Sequence, residues 1–207
     1  MKKIAISMGQ QFLKERDETR DFIDVKLVSF LKTCFECDIY LINNFLNSKS
    51  KKNQKKNFYN FLQRHKIDTI ILSGGQNFGE NILRDKIETQ LIEYAIKKKI
   101  KLIGICRGMQ VINIFFKGTI KKTKNHVRIE NIITSSNKNI KKKIKCFHGN
   151  GIEVLGKSLK KTFQATDGEI EAFVHKNDKI IGIMWHPERN KIFQQSDINL
   201  FKKFLNK

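Results

Sequence analysis

A cysteine set between two glycines at the end of an apolar run has the plainest chemical use of any feature in this sequence. Gly104-Ile105-Cys106-Arg107-Gly108-Met109-Gln110 follows the apolar stretch Ile100–Ile105 and leads into a segment of helical spacing that ends at Phe116. A nucleophile at such a strand-to-helix turn projects from the carboxyl edge of a sheet. Small neighbours permit the tight backbone and the close approach of a substrate. The first turn of the helix offers free amides to an anion, a setting that activates thiols. Most cysteines are simply buried apolar side chains, but here both glycines sit where an elbow needs them.

The partner for such a thiol is a base with an orienting carboxylate. Gly182-Ile183-Met184-Trp185-His186-Pro187-Glu188 supplies both. Residues two apart on an extended chain point to the same side, so His186 and Glu188 can face one site. Pro187, the only proline, stiffens the link. His65, His126, His148 and His175 lack this arrangement, and His65 is expected on an exposed polar helix. Cys34-Phe35-Glu36-Cys37 spells CxxC, but no second CxxC completes a zinc site and the motif lies at a helix end. Cys146, with apolar neighbours, is expected in packing. We expect no metal and no organic cofactor.

These residues must be held by a sheet. Ile4–Met8, Asp38–Ile42, Asp68–Leu72 and Ile100–Ile105 read as strands. Phe22–Cys34, Arg84–Lys99 and Arg107–Phe116 read as helices, with the acids at 17–21 opening the first. Such alternation implies parallel strands joined by crossovers. After residue 118 the pattern changes to short strands at 127–133, 151–155, 170–174 and 179–185, and 190–207 closes with a helix. The Lys/Asn stretch 47–57 reads as a loop or a solvated helix start. The expected fold is α/β, an open, mostly parallel sheet flanked by helices with an antiparallel extension, in one domain over 1–207.

Composition sets outer limits. The chain has 207 residues, 40% hydrophobic, 29% charged and 10% aromatic, values of a folded domain and not of a disordered chain. No apolar run approaches the roughly 20 residues that cross a bilayer, and the N-terminal apolar stretch is too short for a signal-peptide core. A cytoplasmic protein with no membrane partner is expected. Lys+Arg exceed Asp+Glu by 41 to 20, a net +21. Only 7 of the 41 are arginines, while Ile and Asn are abundant and Ala is scarce, as in an A+T-rich genome. The lysine runs are scattered and lack interleaved aromatics, which argues for solvated surface and against nucleic acid as a partner. Such a field can also draw in an anionic small molecule.

Taken together, Gly-x-Cys-x-Gly-x-Gln at 104–110 and His-Pro-Glu at 186–188 resemble the class I glutamine amidotransferases. Arg107, Asn125-His126-Val127, Phe147-His148 and Thr166-Asp167-Gly168-Glu169-Ile170-Glu171-Ala172 narrow the resemblance to the γ-glutamyl hydrolase branch. It implies a flavodoxin-like fold, Cys106 as nucleophile, His186 as base and Glu188 as its orienter. Ser73-Gly74-Gly75 resembles the oxyanion loop, so the Gly75 and Arg107 amides would hold the oxyanion. Gly74, Gln110, His148, Gly149 and Asn150 would hold the glutamyl part. The segment Lys145–Asn150 departs from the branch's Asn-Ser-x-His-His-Gln pattern, and Met184 stands where Gln is usual. The short chain, residue usage and basic balance are similar to hydrolases of γ-glutamyl nucleotide phosphoramidates in bacterial capsule synthesis. The implied partner is a small-molecule γ-glutamyl amide, an anionic nucleotide conjugate among them. One alternative is a glutaminase subunit feeding ammonia to a separate synthetase. The other is a basic nucleic-acid-binding module on an inactive hydrolase fold.

Overall fold

The computed structural model describes residues 1–44, 54–137, 139–176 and 179–206. In chain order, β1 (Lys2–Ser7) is followed by a hairpin of β2 (Gly9–Leu13) and β3 (Glu18–Phe22). Then come α1 (Val25–Cys34), β4 (Cys37–Ile42), α2 (Gln54–Arg64), β5 (Thr69–Leu72), α3 (Ile82–Lys98), β6 (Lys101–Ile105) and α4 (Arg107–Phe115). The second half runs β7 (Thr119–Lys122), β8 (Val127–Ser135), β9 (Lys141–Phe147), β10 (Asn150–Val154), β11 (Leu159–Ala165), β12 (Ile170–His175), β13 (Ile180–Ile183) and α5 (Gln195–Asn206).

Nine strands make one mixed sheet, in the order β4-β1-β5-β6-β13-β12-β11-β8-β9. Pairing is parallel from β4 to β13 and antiparallel from there to β9. The expected α/β sheet with its antiparallel extension is therefore present. Its centre is dictated by sequence: β5 (TIIL) and β13 (IIGI) are buried at every position, as strands covered on both faces must be. Helix α1 packs on α5, with Phe30 edge-on to Phe201 at 5.0 Å, and α3 packs on α4.

Three differences from the sequence reading have physical causes. Residues 18–21 form a strand, because Asp21 takes both the backbone and side-chain amides of Asn44 (2.7 and 2.8 Å) and so ties the hairpin down. Asp24 caps α1 instead, accepting from the Lys26 amide at 2.9 Å. Of Lys141–Lys143, expected as solvated surface, Lys141 and Lys143 are exposed on β9 and Lys142 departs. There the Lys142 stem turns under to pair with buried Asp197, its ammonium 4.9 Å from the Trp185 ring centroid. His65 is half-buried against Tyr40 and Phe61 and not exposed on a polar helix. Most of the 47–57 stretch lies outside the described residues, but α2 begins at Gln54. Cys34 ends α1 and Cys37 opens β4; burial pushes the Cys34 thiol up to about 12.

Asp197 also accepts from Trp185 Nε1 at 2.9 Å, so it anchors the strand end next to His186. Asp197→Ala strands the Lys142 charge and the indole N–H. We expect a loss of about 3 kcal/mol, read as a melting temperature lower by roughly 6–12 °C. A shift within a degree would show that the pair carries no stability.

Candidate active site

The elbow forms because two strong strands flank β6 and a helix must leave at once. Ile105 pairs in register with Ile183, and the Cys106 amide donates to the Ile183 carbonyl at 2.7 Å. Cys106 then takes φ 49°, ψ −105°, a left-handed backbone that non-glycine residues rarely adopt, and α4 starts at the next residue. Such strain persists only where the surroundings over-determine it. Here Gly108 does so: a Cβ there would run into the Leu72 carbonyl of β5 and lift α4 off the sheet. The thiol is buried, with 6% exposure.

His186 leaves the end of β13, and residues 187–189 form a short 3-10 turn with Pro187 at its start. Its Nδ1 meets Glu188 Oε1 at 2.5 Å, and both side chains are buried. The pairing expected from two residues on a strand thus exists, but the turn makes it. Burial pulls the His186 pKa down; hydrogen bonds with Cys106 and Glu188 overcome that and raise it to about 9. Cys106, His186 and Glu188 are therefore brought together, with the imidazolium held between an acid and a thiol. The ring lies against Gly74, where any Cβ would collide with its Cε1. Gly75 has φ +127°, the left-handed region that suits glycine.

A model of the Peptidase C26 family matches residues 50–188, a span that holds both motifs. The chain belongs to the Peptidase C26 family. Among relatives of this Peptidase C26 chain, the γ-glutamyl-CDP-amidate hydrolase of Campylobacter jejuni is 42% identical over 132 residues. That match covers 61% of this chain and 64% of the relative, so it spans less than two thirds of that protein. A provisionally named glutamine amidotransferase of Schizosaccharomyces pombe is 32% identical over 192 residues, 72% of this chain and 74% of its own. The structure of a Thermoplasma acidophilum protein, provisionally named as part of a GMP synthase, superposes with TM-score 0.72 at 17% identity, covering 100% of this chain and 93% of that one. A glutamine amidotransferase from Thermotoga maritima gives 0.62 at 18%, covering 99% and 84%. At these identities the two structures establish the shared fold.

Behind the elbow lies a buried ionic network that sequence reasoning missed. Glu88 on α3 accepts from Ser7 Oγ (2.8 Å) and Arg84 Nε (3.0 Å), and pairs with Arg107. Arg107 also pairs with Asp85, so its side chain points into the protein and only its amide faces the elbow's helix end. Arg84 Nη2 donates to the carbonyls of Ser73 and Gly74, both at 2.9 Å, and to Ser73 Oγ at 3.1 Å. These carbonyls are thereby turned inward, which fixes the loop that ends at Gly75. The available signal was an Arg and a Glu at i, i+4 amid the apolar positions of α3.

The residues expected to hold the glutamyl part do converge, but largely on one another. Gln110 Nε2 and His148 Nδ1 both reach the Asn150 carbonyl, at 2.9 and 3.1 Å. Asn150 Nδ2 donates to Asn77 Oδ1 at 2.6 Å, while Gly149 is exposed. Gln110 also reaches the sulfur of Met184, 3.7 Å away. Beside them, Phe147 stands edge-on to His186 at 5.8 Å between ring centroids. The Arg189 guanidinium lies 4.8 Å from the Phe147 ring and the Lys145 ammonium 5.7 Å. The hairpin contributes Phe22, which with Gly74, His186 and Arg189 lines a small cleft. Among the described residues, one group has metal-ligating donors within 4.8 Å of one another: His126, Cys146, His148 and Glu171. No helix among the described residues is long and apolar enough to cross a membrane.

Proposed function

We propose that Cys106, His186 and Glu188 are the catalytic triad of a γ-glutamyl amide hydrolase, carried by one domain over 1–207. The proton shared by Cys106 and His186 rests on the imidazole, and Cys106 Sγ attacks the γ-carbonyl carbon. The amides of Gly75 and Arg107 stabilise the tetrahedral oxyanion. As the C–N bond breaks, His186 returns the proton to the departing nitrogen and a γ-glutamyl thioester remains. His186 then takes a proton from water, whose oxygen attacks the thioester; glutamate leaves and the thiol is restored. The observation that carries this reading is the buried imidazole joined to both Cys106 and Glu188 at the strained elbow. Gln110 and His148 act by fixing the 148–150 backbone, which with Gly74 borders the glutamyl site.

The substrate we propose is γ-glutamyl-CDP-amidate, which would leave cytidine diphosphoramidate, a cytoplasmic reaction. Support comes from the Campylobacter relative and from Arg189 and Lys145, cations that frame Phe147 beside His186. The test is glutamate release from a panel of γ-glutamyl amides that includes nucleotide conjugates and glutamine. Arg189→Ala should raise KM for the anionic conjugate about tenfold while changing glutamine hydrolysis little, and salt should erase the anionic preference. Equal use of glutamine and the conjugate, with equal salt response, would favour an ammonia-supplying role for a partner synthetase.

The elevated His186 pKa has a defined sign. The group is charged below about 9 and neutral above it. Protonation of the leaving nitrogen needs the charged form, so kcat/KM should fall as pH rises through about 9. A flat profile to pH 10, with the protein still folded, would remove His186 from the proton transfer.

A further inference from the structure

We infer that His126, Cys146, His148 and Glu171 form a closed, four-ligand site for a zinc-type divalent cation, separate from the triad. This goes beyond the proposed hydrolysis and does not depend on it. All four side chains are buried. Cys146 and His148 lie two apart at the end of β9, His126 just before β8, and Glu171 on β12.

The tautomers are fixed from outside. The Asn150 carbonyl can only accept, so His148 Nδ1 must donate to it at 3.1 Å. Asp167, a carboxylate, accepts from His126 Nε2 at 2.7 Å. Each ring therefore turns its other nitrogen inward, bearing a lone pair if the ring is neutral. Those nitrogens, His126 Nδ1 and His148 Nε2, face each other at 3.1 Å, and each lies 3.2 Å from Glu171 Oε1. Three acceptors this close repel unless a cation or a proton sits among them. The Asn131 Nδ2 amide donates toward both Cys146 Sγ (3.5 Å) and His126 Nδ1 (3.4 Å), which marks both as acceptors. Glu171 Oε2, in a side chain with no exposure, has no partner at all.

The dimensions also admit a metal in place of a proton. Zinc bound at about 2.0 Å to nitrogen or oxygen and about 2.3 Å to sulfur has tetrahedral ligand–ligand edges of roughly 3.3–3.7 Å. The observed edges of 3.1, 3.2 and 3.2 Å need shifts of only a few tenths of an ångström, and Cys146 Sγ, 4.0 Å from Glu171 Oε1 and within 4.8 Å of the other donors, closes on the ion by a larger side-chain movement. Two imidazoles, a thiolate and a carboxylate suit a borderline-soft ion. A dication would balance the two anionic ligands inside a dry core. The carboxylate behind His126 and the carbonyl behind His148 are the outer partners that ligating histidines characteristically have. Binding would release the Cys146 proton to solvent and leave no oxidation state changed. The site would clamp β9 and β12 beneath the 148–150 segment.

The experiment loads the purified full chain with Zn(II), desalts it and measures metal, then repeats the loading with Co(II). We expect close to one zinc per chain. The cobalt form should show intense visible bands of a tetrahedral ion and a near-ultraviolet sulfur-to-cobalt charge-transfer band. Cys146→Ser should lose the charge-transfer band, whereas Cys106→Ala should keep it. If Cys146→Ser fails to fold, the wild-type and Cys106→Ala spectra decide alone. Failure to retain zinc, with a cobalt spectrum of the hydrated ion, would mean that the cluster holds a proton and would overturn the assignment. Loss of the sulfur band in Cys106→Ala would place the ion on the elbow thiol and overturn it equally. None of these readings depends on hydrolysis, so failure of the proposed activity leaves them interpretable.

Discussion

Cys106→Ala should abolish glutamate release, by about four orders of magnitude or more, as expected when a covalent catalyst loses its nucleophile. The protein should still fold, because alanine removes a sulfur and keeps the backbone. A second consequence separates a catalytic thiol from one that merely packs. The hydrogen bond with Cys106 is the largest of the influences that raise the His186 pKa. Without it, burial gains ground and the His186 titration seen by NMR should move down from about 9. The linkage has the same sign. His186 binds its proton more tightly folded than unfolded, so its stabilisation is complete below about 6.5 and is lost as pH rises through about 9. Cys106→Ala should flatten that alkaline loss of stability. His186→Ala should add little further damage to Cys106→Ala, since one unit is already broken. An unchanged His186 titration in the alanine variant would show that the two groups are not coupled.

Glu88→Gln should be the most destabilising conservative change away from the triad. One carboxylate compensates two buried guanidinium groups, with Asp85 as the other acid. Removing that charge leaves a buried cation uncompensated, a cost of about 3–5 kcal/mol, or roughly 6–20 °C in melting temperature. Activity should fall more than stability alone explains, because Arg84 would no longer be held against the Ser73 and Gly74 carbonyls. The double change Arg84→Met/Glu88→Leu should recover part of the stability, since apolar replacements of buried ion pairs are often tolerated. It should not recover kcat, because nothing then anchors the loop. Thermal melts and kcat on the same preparations test this, and a Glu88→Gln melt within a degree or two of wild type would refute it.

What could be read from sequence was whatever is local. The elbow and the His-Pro-Glu turn each hold their chemistry within seven residues, and the buried strands announce themselves as apolar runs. Strands β9 and β11 do not, because lysines occupy their outward positions and break the apolar run. The acids at 17–21 resemble a helix start until Asn44, far along the chain, claims Asp21. Arg84, Glu88 and Arg107 look like surface charges because the partners that bury them come from three elements. The His126–Glu171 cluster was hidden likewise: its four residues are spread over 126–171, and only sheet pairing brings them together.

The parallel pairing of β6 with β13 carries a consequence for how this molecule can diversify. Because Ile105 sits opposite Ile183, the spacing between thiol and imidazole is a property of neighbouring strands and owes nothing to the length of chain between them. The loops within 119–175 can thus change in length while the reactive pair stays aligned, so long as β12 keeps its pairing with β13. Phe147 and Lys145, which stand beside His186, lie within that stretch, whereas the thiol and the imidazole lie outside it.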